Sequence, residues 1–133
     1  MNAEPIIQND FVSMWYYPDK KIVHHQMHKS LYGEHLRSAM ETGLSVLIRN
    51  GACKWLSDDR CFVTMEPEDV HWGKAVWTPK AVRAGWRHWA IVLPKSVTGK
   101  MCHDQMIDDY RVLGLNAKVF DDVDEAMAWL EAQ

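Results

Sequence analysis

The sequence predicts an α/β domain: a four- to five-stranded, mixed and largely parallel sheet with helices packed on it, in the order ββαβαβαβα. Three observations carry this. Two extended segments bracket the turn residues Pro18-Asp19-Lys20-Lys21, which reads as a β-hairpin. Beyond it, apolar runs of strand length alternate with segments of helical period, the pattern of crossover connections and parallel strands. The run Trp89-Ala90-Ile91-Val92-Leu93 is apolar throughout, as a strand covered on both faces would be.

The elements follow in order. Residues 1–10 are expected to be a loosely ordered start to a single domain spanning 1–133. The hairpin pairs 11–17 with 22–27. Ser30 is a cap for the next helix, in which Leu31, Leu36, Met40, Leu44 and Leu47 recur near the helical period until Asn50-Gly51 stops it. A short strand covers 52–56, and the polar break Ser57-Asp58-Asp59-Arg60 lies where a strand hands over to a helix. Pro67 suits the first helical position, with Glu68 and Asp69 at the positive end of the macrodipole; this second helix should run to about Trp77, before Pro79. The strand 89–93 is expected at the sheet centre. Ser96 or Thr98 opens a helix carrying Met101, Met106, Ile107, Tyr110 and Leu113 and closed by Gly114. A last strand covers 117–120, and Asp121, Asp122, Asp124 and Glu125 crowd the start of a terminal helix whose Val123, Ala126, Met127 and Leu130 face inward.

At 133 residues the chain is long enough for one core, since ~150 residues bury roughly 68–70% of the unfolded surface. A composition 47% hydrophobic and 25% charged excludes a disordered or low-complexity chain. No apolar stretch approaches the ~20 residues that cross a bilayer, and Met1-Asn2-Ala3-Glu4-Pro5 lacks the basic and apolar regions of an export signal. Three cysteines, Cys53, Cys61 and Cys102, include no Cys-x-x-Cys pair, so reduced thiols and a cytoplasmic location are expected.

Charge is uneven. Residues 70–103 hold Lys74, Lys80, Arg83, Arg87, Lys95 and Lys100 without one acid, inside a chain of formal net charge −3. Trp72, Trp77, Trp86 and Trp89 interleave with them. Basic and aromatic residues together suit phosphate, anionic lipid, nucleic acid or an acidic protein surface. The plainer reading turns the rings inward and leaves the cations solvated. A pI near 6.1 argues against nucleic acid.

Trp15, Gly51-Ala52, Lys54-Trp55-Leu56, Asp58, Pro67-Glu68-Asp69, Trp72, Pro79, Gly85, 90–94, Phe120-Asp121-Asp122, Ala126 and Trp129-Leu130 follow one another in an order and spacing that resembles the SpoIIAA-like proteins, small relatives of the STAS domain grouped as STAS/SEC14. The resemblance spans most of the chain. It implies a four- or five-stranded sheet and a non-enzymatic role in binding other proteins, in some relatives switched by phosphorylation of a Ser or Thr in the loop before the second helix. Here that stretch is 57–66. It lacks the Asp-Ser-Ser-Gly-like sequence, and Glu66 stands where Ser or Thr commonly caps the helix, so Ser57 and Thr64 are the remaining phosphorylation candidates. The SEC14 side of the grouping implies a lipidic or amphipathic ligand beneath a helix.

Catalytic chemistry finds no motif: there is no Gly-x-Ser-x-Gly and no Gly-rich phosphate loop. His24, His25, His28 and His35 invite a metal, but neighbours on a strand point to opposite faces, so His24 and His25 do not converge on one ion. Cys102-His103 offers no second pair. No metal or cofactor is expected. Asp58 and Asp59 suit acid–base work or Mg²⁺, with local backbone capping as the commoner use. Cys61 beside Arg60 is a thiol whose commoner use is packing. Trp15, Trp55, Trp89 and Trp129 lie on core patterns, whereas one of Trp72 and Trp77 is expected to line a groove or a dimer contact.

Two functions follow. The first is a regulatory or interaction module whose second-helix surface, with Trp72, Trp77, Lys80 and Arg83, meets a protein partner or a second copy. The alternative is a small amphipathic or anionic ligand held between that helix and the sheet edge formed by Asp58, Asp59 and Arg60, with Arg60, Lys80 and Arg83 as anchors.

Overall fold

A computed structural model describes residues 3–133. The hairpin forms as expected, with β2 (Val12–Tyr17) antiparallel to β3 (Ile22–Met27). Val12, Met14 and Tyr16 are buried while Ser13, Trp15 and Tyr17 are half-buried, the alternation of a strand with one well-covered face. Lys21 takes a left-handed φ of 54° in the turn, and its N–H donates to Tyr17 O at 2.7 Å. The first residues depart from expectation. β1 (Glu4–Gln8) pairs antiparallel with β2, irregularly between Pro5 and Ile7, so from residue 4 the supposed loose segment is a sheet edge. Proline is tolerated there because an edge leaves one row of N–H groups unpaired. Residues 1 and 2 lie outside the described residues.

The remaining elements are α1 (Gly33–Asn50), β4 (Lys54–Asp58), α2 (Pro67–Trp72), a π-helical turn (Gly73–Trp77), α3 (Thr78–Ala84), β5 (His88–Val92), α4 (Val97–Val112), β6 (Asn116–Phe120) and α5 (Val123–Glu131). The sheet is six-stranded and mixed, in the spatial order β1-β2-β3-β4-β5-β6, with the last three pairings parallel. This corrects the expected strand count. Parallel strands laid down in one direction by right-handed crossovers deliver their helices to one face. The cores agree: Leu44 and Leu47 of α1, Ala81 of α3 and Tyr110 of α4 pack with Val23, Trp55 and Trp89, whereas Ala126 and Leu130 of α5 cover Ile22, Leu56 and Ala90 from the other side.

Three local readings change. Ser30 does not cap α1; its Oγ accepts from the N–H of Val63 at 2.9 Å and of Thr64 at 3.3 Å, tying the loop before α2 to the loop before α1. The strand expected at 52–56 lies two residues later, ending at Asp58. The second helix does not stop at Trp77. It widens into the π turn and continues to Ala84, which absorbs the missing N–H and bulky ring of Pro79 where a regular turn would break. Ser96 does cap α4, its Oγ accepting from Gly99 N–H at 3.0 Å. Among the described residues no helix is long and apolar enough to cross a membrane.

Candidate functional site

Adjacent residues of a strand face opposite ways, and β3 uses this to separate two histidines. His24 lies against Trp15 and Tyr17, with its Nδ1 3.0 Å from Tyr17 Oη. Its Nε2 is buried with no partner. Burial lowers its pKa to about 4, so at neutral pH the ring is uncharged. His25 turns to the face covered by α1, the π turn and α4, where Ser57 of β4 is its register partner.

Asp59 follows β4 and stays in register because its N–H donates to Val92 O at 3.0 Å. Its carboxylate is clasped between two imidazoles: His25 Nε2 is 2.7 Å from Oδ1 and His103 Nε2, from α4, is 3.0 Å from Oδ2. All three residues are buried. Donor bookkeeping assigns the protons. The Trp55 indole, a donor only, donates to His25 Nδ1 at 2.9 Å, so His25 carries its proton on Nε2 and gives it to Asp59. His103 Nδ1 lies 3.0 Å from Gly99 O and must donate to that carbonyl. Donating also to a carboxylate makes His103 an imidazolium. Burial by itself would lower the His103 pKa, but the hydrogen bond and charge of Asp59 outweigh it and raise the value. Burial would likewise raise the Asp59 carboxyl, yet the two histidines hold it well below the ordinary carboxylate range. The result is a buried, internally neutral ion pair with a neutral histidine attached. Every ring nitrogen of the pair is engaged, so neither histidine offers a lone pair for proton abstraction or metal ligation without breaking the network. Among the described residues no group of His, Cys, Asp and Glu is arranged to hold a metal ion.

This network lines one side of a cavity of about 60 Å³ between the sheet and α1, the π turn and α4, whose wall is otherwise mostly apolar, with Ser57, Asp69 and Tyr110 as its other polar groups. At ~15 Å³ per water, that volume admits about four. Trp72, Gly73 and Trp77 form its roof. The interior tryptophans meet edge to face, Trp55–Trp77 with centroids 5.3 Å apart at 90° and Trp77–Trp86 at 5.4 Å and 70°, the favoured quadrupolar arrangement. Their N–H groups are satisfied: Trp77 donates to Met40 O at 2.9 Å, Trp86 to His88 O at 3.1 Å and Trp89 to Ser57 Oγ at 2.9 Å. A glycine at 73 is needed, because a Cβ there would come within 2.9 Å of Tyr110 Oη.

The sequence-derived site residues divide. Asp59, Trp72 and Trp77 line the cavity. Trp77, expected among the surface contacts, is buried; the extra residue per turn of the π segment swings it inward. Trp72 is half-buried, with the Arg37 guanidinium 5.4 Å above its ring and Asp69 3.6 Å from Arg37 Nε. Asp58 does not join Asp59. It is bound bidentately by Arg60, at 2.8 Å to Nε and 2.7 Å to Nη2, so the two carboxylates serve different partners and form no shared acid–base or Mg²⁺ site. That pairing occupies Arg60 as well, and Lys80 and Arg83 are exposed on α3; none of the three is among the residues that line the cavity. Ser57 is buried and engaged by Trp89, out of reach of a kinase in this fold, whereas Thr64 is exposed. His25, His103 and Ser57's role at the wall were missed. The signal for His103 was its phase: with Gly99, Ile107 and Tyr110 it makes the buried stripe of α4. No protein-family model, no curated protein and no solved structure matches this chain.

Proposed function

We propose that the chain is a non-enzymatic binding module for a small amphipathic molecule, held in the cavity between the helix of residues 67–84 and the sheet. The observation that carries it is the cavity itself: mostly apolar walls with the His25–Asp59–His103 network at the carboxyl ends of parallel strands, where α/β sheets bind ligands. A saturated His25–Asp59–His103 network favours binding over catalysis, since it presents fixed charges rather than a free base. Native mass spectrometry of the protein isolated from cells tests the reading. A stoichiometric small-molecule adduct released by collisional activation is expected; a clean apo mass under gentle conditions overturns it.

A second reading keeps the outer surface of the same helix as a contact for a protein partner or a second copy. What favours it is Val76, 52% exposed, beside the exposed Lys80 and Arg83 in a stretch without acids. A Val76→Asp/Arg83→Glu variant should lose self-association or partner capture in sedimentation; unchanged association with an intact fold removes it. The kinship with SpoIIAA-like proteins is likewise a proposal, supported by the ordered residues from Trp15 to Leu130 given above.

A further inference from the structure

A ligand of this cavity, on the reading that it holds one, has to pass through a wall, because the floor beneath is nearly sealed: Trp55, Ser57 and Trp89 are each 3% exposed or less. Most of the wall is regular structure. The floor is sheet, and the sides are α1, the helix of residues 67–84 and α4, all tied by their own backbone hydrogen bonds. Phe62 and Met65 are different. They line the cavity from residues 60–66, the irregular segment between Asp59 and α2. Trp86, which also lies outside helix and strand, is pinned: its backbone N–H donates to Ala81 O at 3.0 Å and its indole to His88 O at 3.1 Å.

Both ends of the segment 60–66 are fixed. Asp59 is held by Val92 O and the two histidines, and Glu66 O accepts the N–H groups of Asp69 at 2.9 Å and Val70 at 3.1 Å. Between them Phe62 N–H closes a turn onto Asp59 O at 2.9 Å. From Cys61 to Met65, among the described residues, the backbone is hydrogen-bonded to the rest of the protein through one oxygen: Ser30 Oγ, which takes the N–H groups of Val63 and Thr64.

The side chains divide in the same way. Phe62 is buried and Met65 half-buried, whereas Arg60, Cys61, Val63, Thr64 and Glu66 are exposed. Phe62 packs beside the charged network, its ring 6.1 Å from that of His103 at 79°. Swinging the segment outward therefore withdraws two side chains and disturbs no helix. A segment with few, solvent-exposed backbone hydrogen bonds opens at a lower free energy than the whole fold. We infer that residues 60–66 are a strap over the cavity, hinged at Asp59 and Glu66, latched by the Ser30 hydroxyl and plugged by Phe62. Its opening admits solvent or a ligand without unfolding.

The test is hydrogen exchange of the intact protein, followed by NMR at the indole N–H groups of Trp55 and Trp89, which are bonded to the wall residues His25 and Ser57. Ser30→Ala should speed both by about fivefold, the loss of roughly one net hydrogen bond from the closed state, while the Leu56 and Ala90 amides in mid-sheet change by about twofold or less. Ser30→Thr keeps the hydroxyl and should stay within about twofold of wild type at all four. Lys74→Ala, which cuts the 3.5 Å pair with Asp109 between the π turn and α4, should leave the indoles unmoved. Indoles that speed up no more than the sheet amides, or that respond more to Lys74→Ala than to Ser30→Ala, overturn the strap. Should Ser30→Ala fail to fold, wild type decides: indoles opening at the same free energy as the Leu56 and Ala90 amides overturn it, and a lower one supports it. A clean apo mass, by contrast, overturns the ligand and leaves the strap standing.

Discussion

Replacing His24 by Phe should remove most of the protein's acid sensitivity between pH 6.5 and 4. His24 is buried, its Nε2 has no partner, and its pKa falls from 6.5 to about 4. A histidine whose folded pKa is depressed binds fewer protons folded than unfolded, so its contribution is fully present above the unfolded value and is lost as pH falls towards the folded one. At about 1.4 kcal/mol per decade, the interval amounts to about 3 kcal/mol. Asp59 and His103 titrate outside this window. Asp59, depressed, contributes above its unfolded pKa of 3.8 and is lost only in stronger acid. His103, raised, contributes below 6.5 and is lost as pH rises through its folded value. Phe fills the slot between Trp15 and Tyr17 without a titrating atom, and Tyr17 is half-buried, so its hydroxyl turns to water. In urea unfolding at pH 7 the variant should lie within about 1 kcal/mol of wild type; at pH 4 it should be the more stable by about 2–3 kcal/mol. Parallel losses in both proteins, or an NMR titration of His24 near 6.5, would refute the reasoning.

Asp59→Asn should cost roughly 3–5 kcal/mol, because it strips a buried imidazolium of its carboxylate and faces an amide N–H₂ to a histidine donor. Urea unfolding measures it, and the alkaline loss of stability contributed by His103 above pH 6.5 should shrink with it; a change below about 1 kcal/mol would mean that the network is not an ion pair. Gly43→Ala should be destabilising by roughly 1–3 kcal/mol, since the new Cβ would stand 2.3 Å from Cη2 of the buried Trp55 ring; thermal unfolding unchanged from wild type would contradict the packing of α1 on β4.

Much of the architecture was legible because apolar periodicity is a long signal. The hairpin, the alternation after it, the cap at Ser96 and the stop at Gly114 all follow from residues a few positions apart. β1 was not legible: five residues at a sheet edge, one a proline, carry little alternation. The continuation through Pro79 was hidden because a π turn has no sequence rule as strong as the one against proline. The site was hardest. His25 sits between Val23 and Met27 on the buried side of β3, and a histidine among apolar neighbours reads as polar edge until a carboxylate 34 residues away closes on it. On α4 the five residues chosen from the sequence include Met101, which is 68% exposed, because large apolar side chains outweigh Gly99 and His103 when a face is picked by hydrophobicity alone. Asp58-Asp59 drew attention for the right reason, a strand end, but strand alternation separates the pair.

The cavity is tested most directly by ¹³C-methyl NMR of the methionines during titration with benzene. The methyls of Met27, Met40, Met65 and Met106, which line it, should shift together along one saturable isotherm while exposed Met101 stays still. Shifts that are linear and unsaturable, or equal at Met101, would mean that no binding cavity lies beneath the helix.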